Sequence, residues 1–100
     1  MPGSTVYAAS KAALRSFARI WTAELAGRGI RVHLISPGPI DTATFVGIPA
    51  EVRTAIASMV PAGRFGRPEE IAAAVLFLAS DDSSFIHGTE LSVGGGLAQV

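Results

Sequence analysis

The chain has 100 residues, of which 49% are hydrophobic and 16% charged, and its formal net charge is zero. That balance provides no basic surface for nucleic acid or an anionic membrane, and the absence of cysteine excludes disulfides and thiolate chemistry. With neither an apolar run of about 18 residues nor a signal-peptide pattern, the sequence predicts a cytoplasmic protein that binds neither nucleic acid nor membrane.

The first predicted element is a helix that carries the only tyrosine and the only lysine of the chain, Tyr7 and Lys11. Side chains four residues apart share one helix face, with Cβ atoms about 5–6 Å apart. Further along, apolar residues recur at spacings of three and four, which predicts a buried stripe on that same face. The stripe consists of Leu14, Ala18, Trp21 and Leu25. Residues typical of helix ends flank it, namely Ser4 or Thr5 as N-cap and Gly27 or Gly29 as stop.

The pairing of Tyr7 with Lys11 is a candidate for acid–base chemistry. A fixed cation beside a phenol favours the phenolate, so that the hydroxyl can exchange a proton near neutral pH. A charged lysine on the buried side of a helix also needs a partner or a ligand. The alternative is an accidental pair of surface side chains.

The next element is a short strand, predicted over residues 31–35, followed by a Pro-Gly loop. Pro37 keeps Ser36 extended, and Gly38 lets a ligand approach the backbone closely. In open α/β sheets, ligands bind beyond the carboxyl ends of the strands, where this loop lies. An ordinary strand-ending turn would have the same composition.

The second half of the chain contains a loosely apolar stretch, a helix and a last strand. Residues 42–61 have partial helical spacing, Pro68 is expected at a first helical position, and a buried stripe follows at Ile71, Val75 and Leu78. Glu90–Val93 is the second strand, closed by three glycines. Two strands separated by helices predict an α/β fold with parallel pairing, and a parallel sheet needs more than two strands. We therefore expect residues 1–100 to be part of one doubly wound domain.

Other polar residues give weaker indications. His33 and His87 are isolated from further metal-ligating residues, so we expect both to be structural and no metal site. Arg64 and Arg67 fit either a phosphate site or structural ion pairs, and we favour the ion pairs.

Four motifs in order resemble the short-chain dehydrogenase/reductase family. They are Tyr7-x-x-x-Lys11, residues 36–42 (Ser-Pro-Gly-Pro-Ile-Asp-Thr), residues 64–71 (Arg-Phe-Gly-Arg-Pro-Glu-Glu-Ile) and residues 75–81 with Gly88. The resemblance covers essentially the whole chain but only the C-terminal part of the family pattern. It implies a Rossmann-like doubly wound parallel sheet whose N-terminal Gly-rich half is absent here.

The resemblance also implies a function, namely reversible hydride transfer between NAD or NADP and an alcohol or ketone substrate. Tyr7 would be the general acid/base, and Lys11 would favour its phenolate and hydrogen-bond the nicotinamide ribose. The implied cofactor-binding residues are Tyr7, Lys11, Pro37, Gly38, Ile40 and Thr42. Ile40 would pair with the carboxamide through its backbone, and residues 42–61 would form a lid over the substrate. Relatives in this family form dimers and tetramers, so the full-length form is expected to be a homo-oligomer.

Several family features have no counterpart in these residues. They are the serine that holds the substrate oxygen, the asparagine of the proton relay and the Gly-rich phosphate-binding turn. Two hypotheses follow. The chain is part of an NAD(P)-dependent oxidoreductase and is inactive alone, or it is a truncated, non-catalytic assembly module.

Overall fold

Three helices and two short strands lie along residues 4–97, the part of the chain that the computed structural model describes. The predicted domain covers residues 1–100, and its residues 1–3 and 98–100 lie outside the described range. The helices and strands are α1 (Ser4–Leu25), β1 (Leu34–Pro37), α2 (Ala50–Met59), α3 (Pro68–Ala79) and β2 (Glu90–Val93). Three 3-10 turns connect them, at Ala26–Arg28, Ala43–Phe45 and Asp81–Ser83.

The two strands pair in parallel, with Leu34 opposite Glu90 and Pro37 opposite Val93. An α/β fold with parallel pairing was the prediction, and it is confirmed. The bounds of β2 agree with the sequence. Those of β1 do not, because the strand covers 34–37 and not 31–35.

The bounds of β1 follow from its pairing with β2 and the residues on either side of β2. The N–H of Thr89, which would extend the ladder backwards, is directed to Nδ1 of His33 at 3.3 Å. At the other end, the N–H of Gly38 donates to the carbonyl of Val93 at 3.0 Å, so pairing continues to Pro37. A strand's ends therefore depend on a segment more than 50 residues away, which local sequence does not show.

Helix α1 runs as far as Leu25, and a 3-10 turn carries the chain on to Gly29. Gly29 has φ +75°, the left-handed conformation that suits a glycine at a helix end. The predicted buried stripe is wrong for two of its members. Ala18 is buried, whereas Leu14 and Trp21 are 47% and 46% exposed. Within residues 4–97, too little chain packs on α1 to cover a stripe of that length.

Helix α3 begins at Pro68, as predicted, and its ends are held by two arginines. Arg64 pairs with Glu70 in the first turn through contacts of 2.8 and 3.1 Å. Arg31 donates to the carbonyl of Leu78 in the last turn of α3, and to the carbonyls of Ser80 and Ser83 just beyond the helix. Of the predicted stripe, Leu78 is buried, Ile71 is half-buried, and Val75 is 46% exposed, contrary to prediction.

Apolar surface remains open on several sides of the described chain. The Cα radius of gyration is 15.8 Å, against about 13 Å for a compact domain of this length. Among residues 4–97, only four apolar residues are buried, namely Ala18, Val60, Phe65 and Leu78. No helix in this range is both long and apolar enough to cross a membrane.

Candidate functional site

The site predicted from the sequence lies at the carboxyl end of β1, where the backbone is packed against the turn after β2. A Cβ on Gly38 would lie 2.6 Å from the Cα of Gly94, closer than side-chain carbons approach backbone. The two segments of the chain therefore meet backbone to backbone, and only glycine fits at position 38. This contact fixes where the loop leaves the sheet.

Beyond Gly38, the loop is held from one side by a parallel bridge between Ile40 and Gly66. Gly66 donates to the carbonyl of Pro39 at 2.9 Å and accepts from the N–H of Asp41 at 2.8 Å. Because the bridge uses the groups on either side of Ile40, the N–H and C=O of Ile40 face the opposite way. No backbone group within residues 4–97 bonds to either of them. The loop thus presents one backbone donor and one acceptor, side by side.

These backbone groups lie beside an open, mostly apolar groove of about 430 Å³. Four residues predicted to bind cofactor line it together, namely Pro37, Gly38, Ile40 and Thr42. The sequence did not single out the rest of the lining as part of a cofactor site. It consists of Phe45, Pro68 and Ile71.

Lys11 reaches the same strand end from α1. Its Nζ donates to Oγ of Ser36 at 3.2 Å, and Ser36 directly precedes Pro37. The expected partner for a half-buried lysine is thus a buried serine hydroxyl. Tyr7 lies one helical turn before Lys11 and is 53% exposed. Neither Tyr7 nor Lys11 lines the groove itself.

Ser36 connects Lys11 to an ion pair that crosses the sheet. Its hydroxyl is fully buried and donates to Oε1 of Glu90 at 3.1 Å. Arg15 donates to both carboxylate oxygens of Glu90, at 2.6 and 3.0 Å. The hydrogen bonds from Arg15, assisted by that from Ser36, lower the pKa of Glu90 and keep it ionised.

The segment predicted as a lid forms a 3-10 turn and helix α2, and it contacts the loop through Arg53. The guanidinium of Arg53 pairs with Asp41 at 2.8 Å and lies 4.4 Å from the ring centroid of Phe65. Phe45 meets Phe65 edge-on with ring centroids 5.0 Å apart. The predicted lid segment is therefore attached to the loop and to Phe65 by an ion pair, a cation–π contact and an aromatic contact.

Arg64, Glu70 and His33 have structural partners, although Nε2 of His33 is buried without one among the described residues. The hydrogen bond from Arg64, together with the N–H of Arg67, lowers the pKa of Glu70 to about 2. Burial, with the charge of Arg31, lowers the pKa of His33, which accepts a hydrogen bond from Thr89. Within residues 4–97, no cluster of acidic residues and histidines is arranged to hold a metal ion.

Sequence reasoning missed Ser36, Glu90 and Arg15 as parts of this site. One signal was present in the sequence. Glu90 is a charged residue at the start of a strand predicted to lie in a parallel sheet, where a charge needs a partner. Its partner could not be read from the sequence, since Ser36 and Glu90 are 54 positions apart.

Comparison with known proteins gives a family match over nearly the whole chain. The family model described as enoyl-(acyl carrier protein) reductase matches residues 1–98. A 3-oxoacyl-[acyl-carrier-protein] reductase of Thermotoga maritima is 48% identical over 96 residues, covering 96% of this chain and 39% of that protein. A cis-4-hydroxycyclohexanecarboxylate dehydrogenase of Sinomonas cyclohexanicum is 44% identical over 97 residues, with 97% and 39% covered.

Among solved structures, a 3-oxoacyl-[acyl-carrier protein] reductase from Brucella melitensis superposes with a TM-score of 0.86 at 38% identity. The match covers 94% of this chain and 35% of that chain. The chain thus spans about two fifths of the length of the curated relatives that it matches.

Proposed function

The chain belongs to the short-chain dehydrogenase/reductase family, and we propose that it forms the catalytic helix and nicotinamide side of an oxidoreductase. The reaction is the reversible conversion of an alcohol to a carbonyl compound with NAD or NADP. Residues 1–100 then belong to a single dinucleotide-binding domain of the Rossmann type, to which further strands and the phosphate-binding turn contribute.

The single observation that carries this proposal is the unpaired backbone of Ile40 at the groove. A nicotinamide carboxamide has one acceptor, its C=O, and one donor, its NH2. The N–H and C=O of Ile40 complement these two groups, and the bridge to Gly66 keeps them turned away from the rest of the loop. Both groups lack a backbone partner within residues 4–97, so they are free to bond to a ligand, and a carboxamide is a fitting occupant.

The other groove residues fit the same ligand. Pro37 and Ile40 offer apolar surface for one face of a planar ring, and Gly38 leaves the strand end free of a side chain. The hydroxyl of Thr42 can bond to the amide or to a nearby phosphate. When bound, the nicotinamide supplies or accepts the hydride.

Tyr7 is the proposed general acid/base and Lys11 its electrostatic partner. Tyr7 protonates the oxygen of a ketone during reduction and removes the hydroxyl proton of an alcohol during oxidation. Lys11, one turn away, favours the phenolate that this exchange requires. Its Nζ uses one of three N–H groups on Ser36, which leaves two for the ribose hydroxyls of the cofactor.

The substrate is proposed to be a small-molecule ketone or alcohol with an apolar portion. Phe45 and Ile71 provide apolar walls to the groove. The relatives are named for a 3-oxoacyl thioester and for an alicyclic hydroxy acid, and both have a carbonyl or hydroxyl on an apolar carbon frame.

A cofactor analogue tests the role of Ile40 without altering the protein. In 3-acetylpyridine adenine dinucleotide, a methyl group replaces the carboxamide NH2, so the carbonyl of Ile40 loses its donor. In the complete natural polypeptide that carries this chain, we expect calorimetry to show binding about 3- to 10-fold weaker than for NAD, the loss of one neutral hydrogen bond. Equal affinities would contradict the assignment of Ile40, and no binding of NAD or NADP would contradict the proposed function.

A second candidate function is a non-catalytic assembly module. The observation that favours it is the exposed apolar surface of α1, where Phe17 and Trp21 stack with ring centroids 5.3 Å apart and Ile20 is 50% exposed. Sedimentation of the natural polypeptide would show a homo-oligomer under either function. Turnover with a nicotinamide cofactor distinguishes them, since an assembly module has none.

A further inference from the structure

Four charged or polar side chains form one continuous chain of hydrogen bonds across the sheet. Lys11 donates to Ser36, Ser36 donates to Glu90, and Arg15 donates twice to Glu90. Lys11 and Arg15 lie one turn apart on α1, while Ser36 is in β1 and Glu90 in β2. We call this set the lysine anchor.

The direction of these hydrogen bonds is fixed by chemistry. An ammonium group has donors only, and an ionised carboxylate has acceptors only. The hydroxyl of Ser36 must therefore accept from Lys11 and donate to Glu90. Since Ser36 is fully buried, no water replaces either bond. The hydroxyl holds Nζ in one place relative to the strand end.

The anchor also leaves Lys11 without a direct ion pair among the described residues. Lys11 contacts the neutral hydroxyl of Ser36, not the carboxylate beyond it. That carboxylate is paired with the guanidinium of Arg15, and the Glu90 side chain is only 28% exposed. Two cations and one anion leave a net positive charge on the Lys11 side. A direct Lys11–Glu90 pair would instead offset the field that favours a nearby phenolate.

We propose that Ser36 and Glu90 are positioning residues that fix the Lys11 ammonium for its action on Tyr7 and the cofactor. The proposal rests on the proposed function, in which Lys11 favours the Tyr7 phenolate. It adds that Glu90, in β2, affects the reaction indirectly, through Ser36 and Lys11. Arg15 occupies both carboxylate oxygens of Glu90, and Lys11 is linked to Glu90 only through Ser36.

The kinetic test uses Ser36→Ala and Glu90→Gln in the complete natural polypeptide. Both variants are expected to lower kcat about tenfold, the loss of a hydrogen bond to a charged group. Their alcohol-oxidation pH profiles are expected to move to higher pH, because a displaced Lys11 favours the Tyr7 phenolate less. Unchanged kcat and pH profile in both variants would overturn the proposal.

Two further variants separate positioning from stability. Glu70→Gln breaks the bidentate Arg64–Glu70 pair, which resembles the Arg15–Glu90 pair but does not contact Lys11. It is expected to lower the unfolding temperature without moving the pH profile. The exchange Arg15→Glu with Glu90→Arg restores an ion pair, but a guanidinium cannot accept from Ser36. Recovery of stability without recovery of kcat supports the proposal. Recovery of both would show that the pair is only structural.

A spectroscopic readout keeps this test independent of turnover. The natural polypeptide, labelled with 15N-lysine, is expected to give a slowly exchanging ammonium signal, assigned to Nζ by its loss in Lys11→Arg. Ser36→Ala should abolish that signal and Glu70→Gln should leave it. If Ser36→Ala abolishes the signal and Glu70→Gln keeps it, but the polypeptide shows no turnover, the proposed function fails and the anchor stands. If turnover exists and Ser36→Ala leaves the signal intact, the anchor fails.

Discussion

The carboxyl end of β1 and the outer face of α1 are built in opposite ways. At the strand end, each element of the loop is fixed by a contact within this chain. Gly38 packs on Gly94, Ile40 bridges to Gly66, and Ser36 is bonded on both sides. On the outer face of α1, Phe17 and Trp21 touch each other but remain about half exposed.

The difference separates two requirements of an active site, namely the correct geometry of its loop and the free energy that stabilises its elements. The geometry of the loop depends on contacts between backbone segments that are all present in residues 4–97. The free energy that holds α1 against the sheet depends on burying apolar area, at about 25 cal/mol per Å², and here much of that area is open. Within residues 4–97, contacts therefore specify the shape of the loop, while the open face of α1 contributes little stabilisation by burial.

The strongest test of this comparison is the 100-residue chain expressed alone. We expect calorimetry to show negligible binding of NAD(H) and NADP(H), and assays to show no alcohol turnover. The physical reason is that, in the proposed function, these residues supply only the nicotinamide side of the cofactor site, and within residues 4–97 they bury few apolar side chains. Saturable cofactor binding by this chain would mean that the strand end is sufficient without covering surfaces.

At the strand end itself, Gly38→Ala should have a large effect. The new Cβ would lie 2.6 Å from the backbone of Gly94, so one segment must shift. We expect a loss of about 1–3 kcal/mol in the free energy of unfolding of the natural polypeptide, together with weaker cofactor binding. Urea unfolding and calorimetry measure the two effects.

The matched control is Gly27→Ala, at a position where an added Cβ meets nothing within 4 Å. That variant should leave stability unchanged or raise it by up to about 1 kcal/mol. If both alanines had the same small effect, the Gly38–Gly94 contact would not determine the loop.

A smaller effect is expected for the ion pair at the start of α3. The folded pKa of Glu70 is about 2, below its ordinary value of 4.5. Its contribution is therefore complete above about pH 4.5 and is lost as the pH falls toward 2. Glu70→Gln should lower the unfolding temperature above pH 4.5, and the difference from wild type should shrink with acidification.

Glu69→Gln is the control for that measurement, because Glu69 makes no ion pair within residues 4–97. A difference for Glu69→Gln with the same pH dependence would mean that helix polarity, and not the pair with Arg64, is responsible.

The sequence predicted those features that depend on local chemistry. Glu90–Val93 is bounded by a turn glycine and three glycines, and Pro68 followed by two glutamates favours the start of a helix. The loop after β1 was expected at a ligand site because it lies beyond the carboxyl end of a strand. Its proposed place beside the nicotinamide came from the family resemblance. Four of its residues do line one groove.

Features that depend on distant partners were not predictable. The first residues expected in β1 lie opposite a turn, and His33 takes the hydrogen bond that would have extended the ladder. Leu14 and Trp21 have the spacing of a buried stripe, but spacing does not reveal whether a covering surface is present. The lysine anchor joins residues 25 and 54 positions apart, a juxtaposition that only the parallel pairing of the strands creates.

The central claim is that Tyr7 exchanges the proton of the reaction beside a cofactor held by Lys11 and the β1 loop. The most direct measurement compares Tyr7→Phe with wild type in the complete natural polypeptide, by steady-state turnover and by cofactor calorimetry. We predict that kcat falls by about 10²–10⁴-fold, the usual contribution of general acid–base catalysis, while the Kd of the cofactor changes little. Retained turnover in Tyr7→Phe would contradict the account.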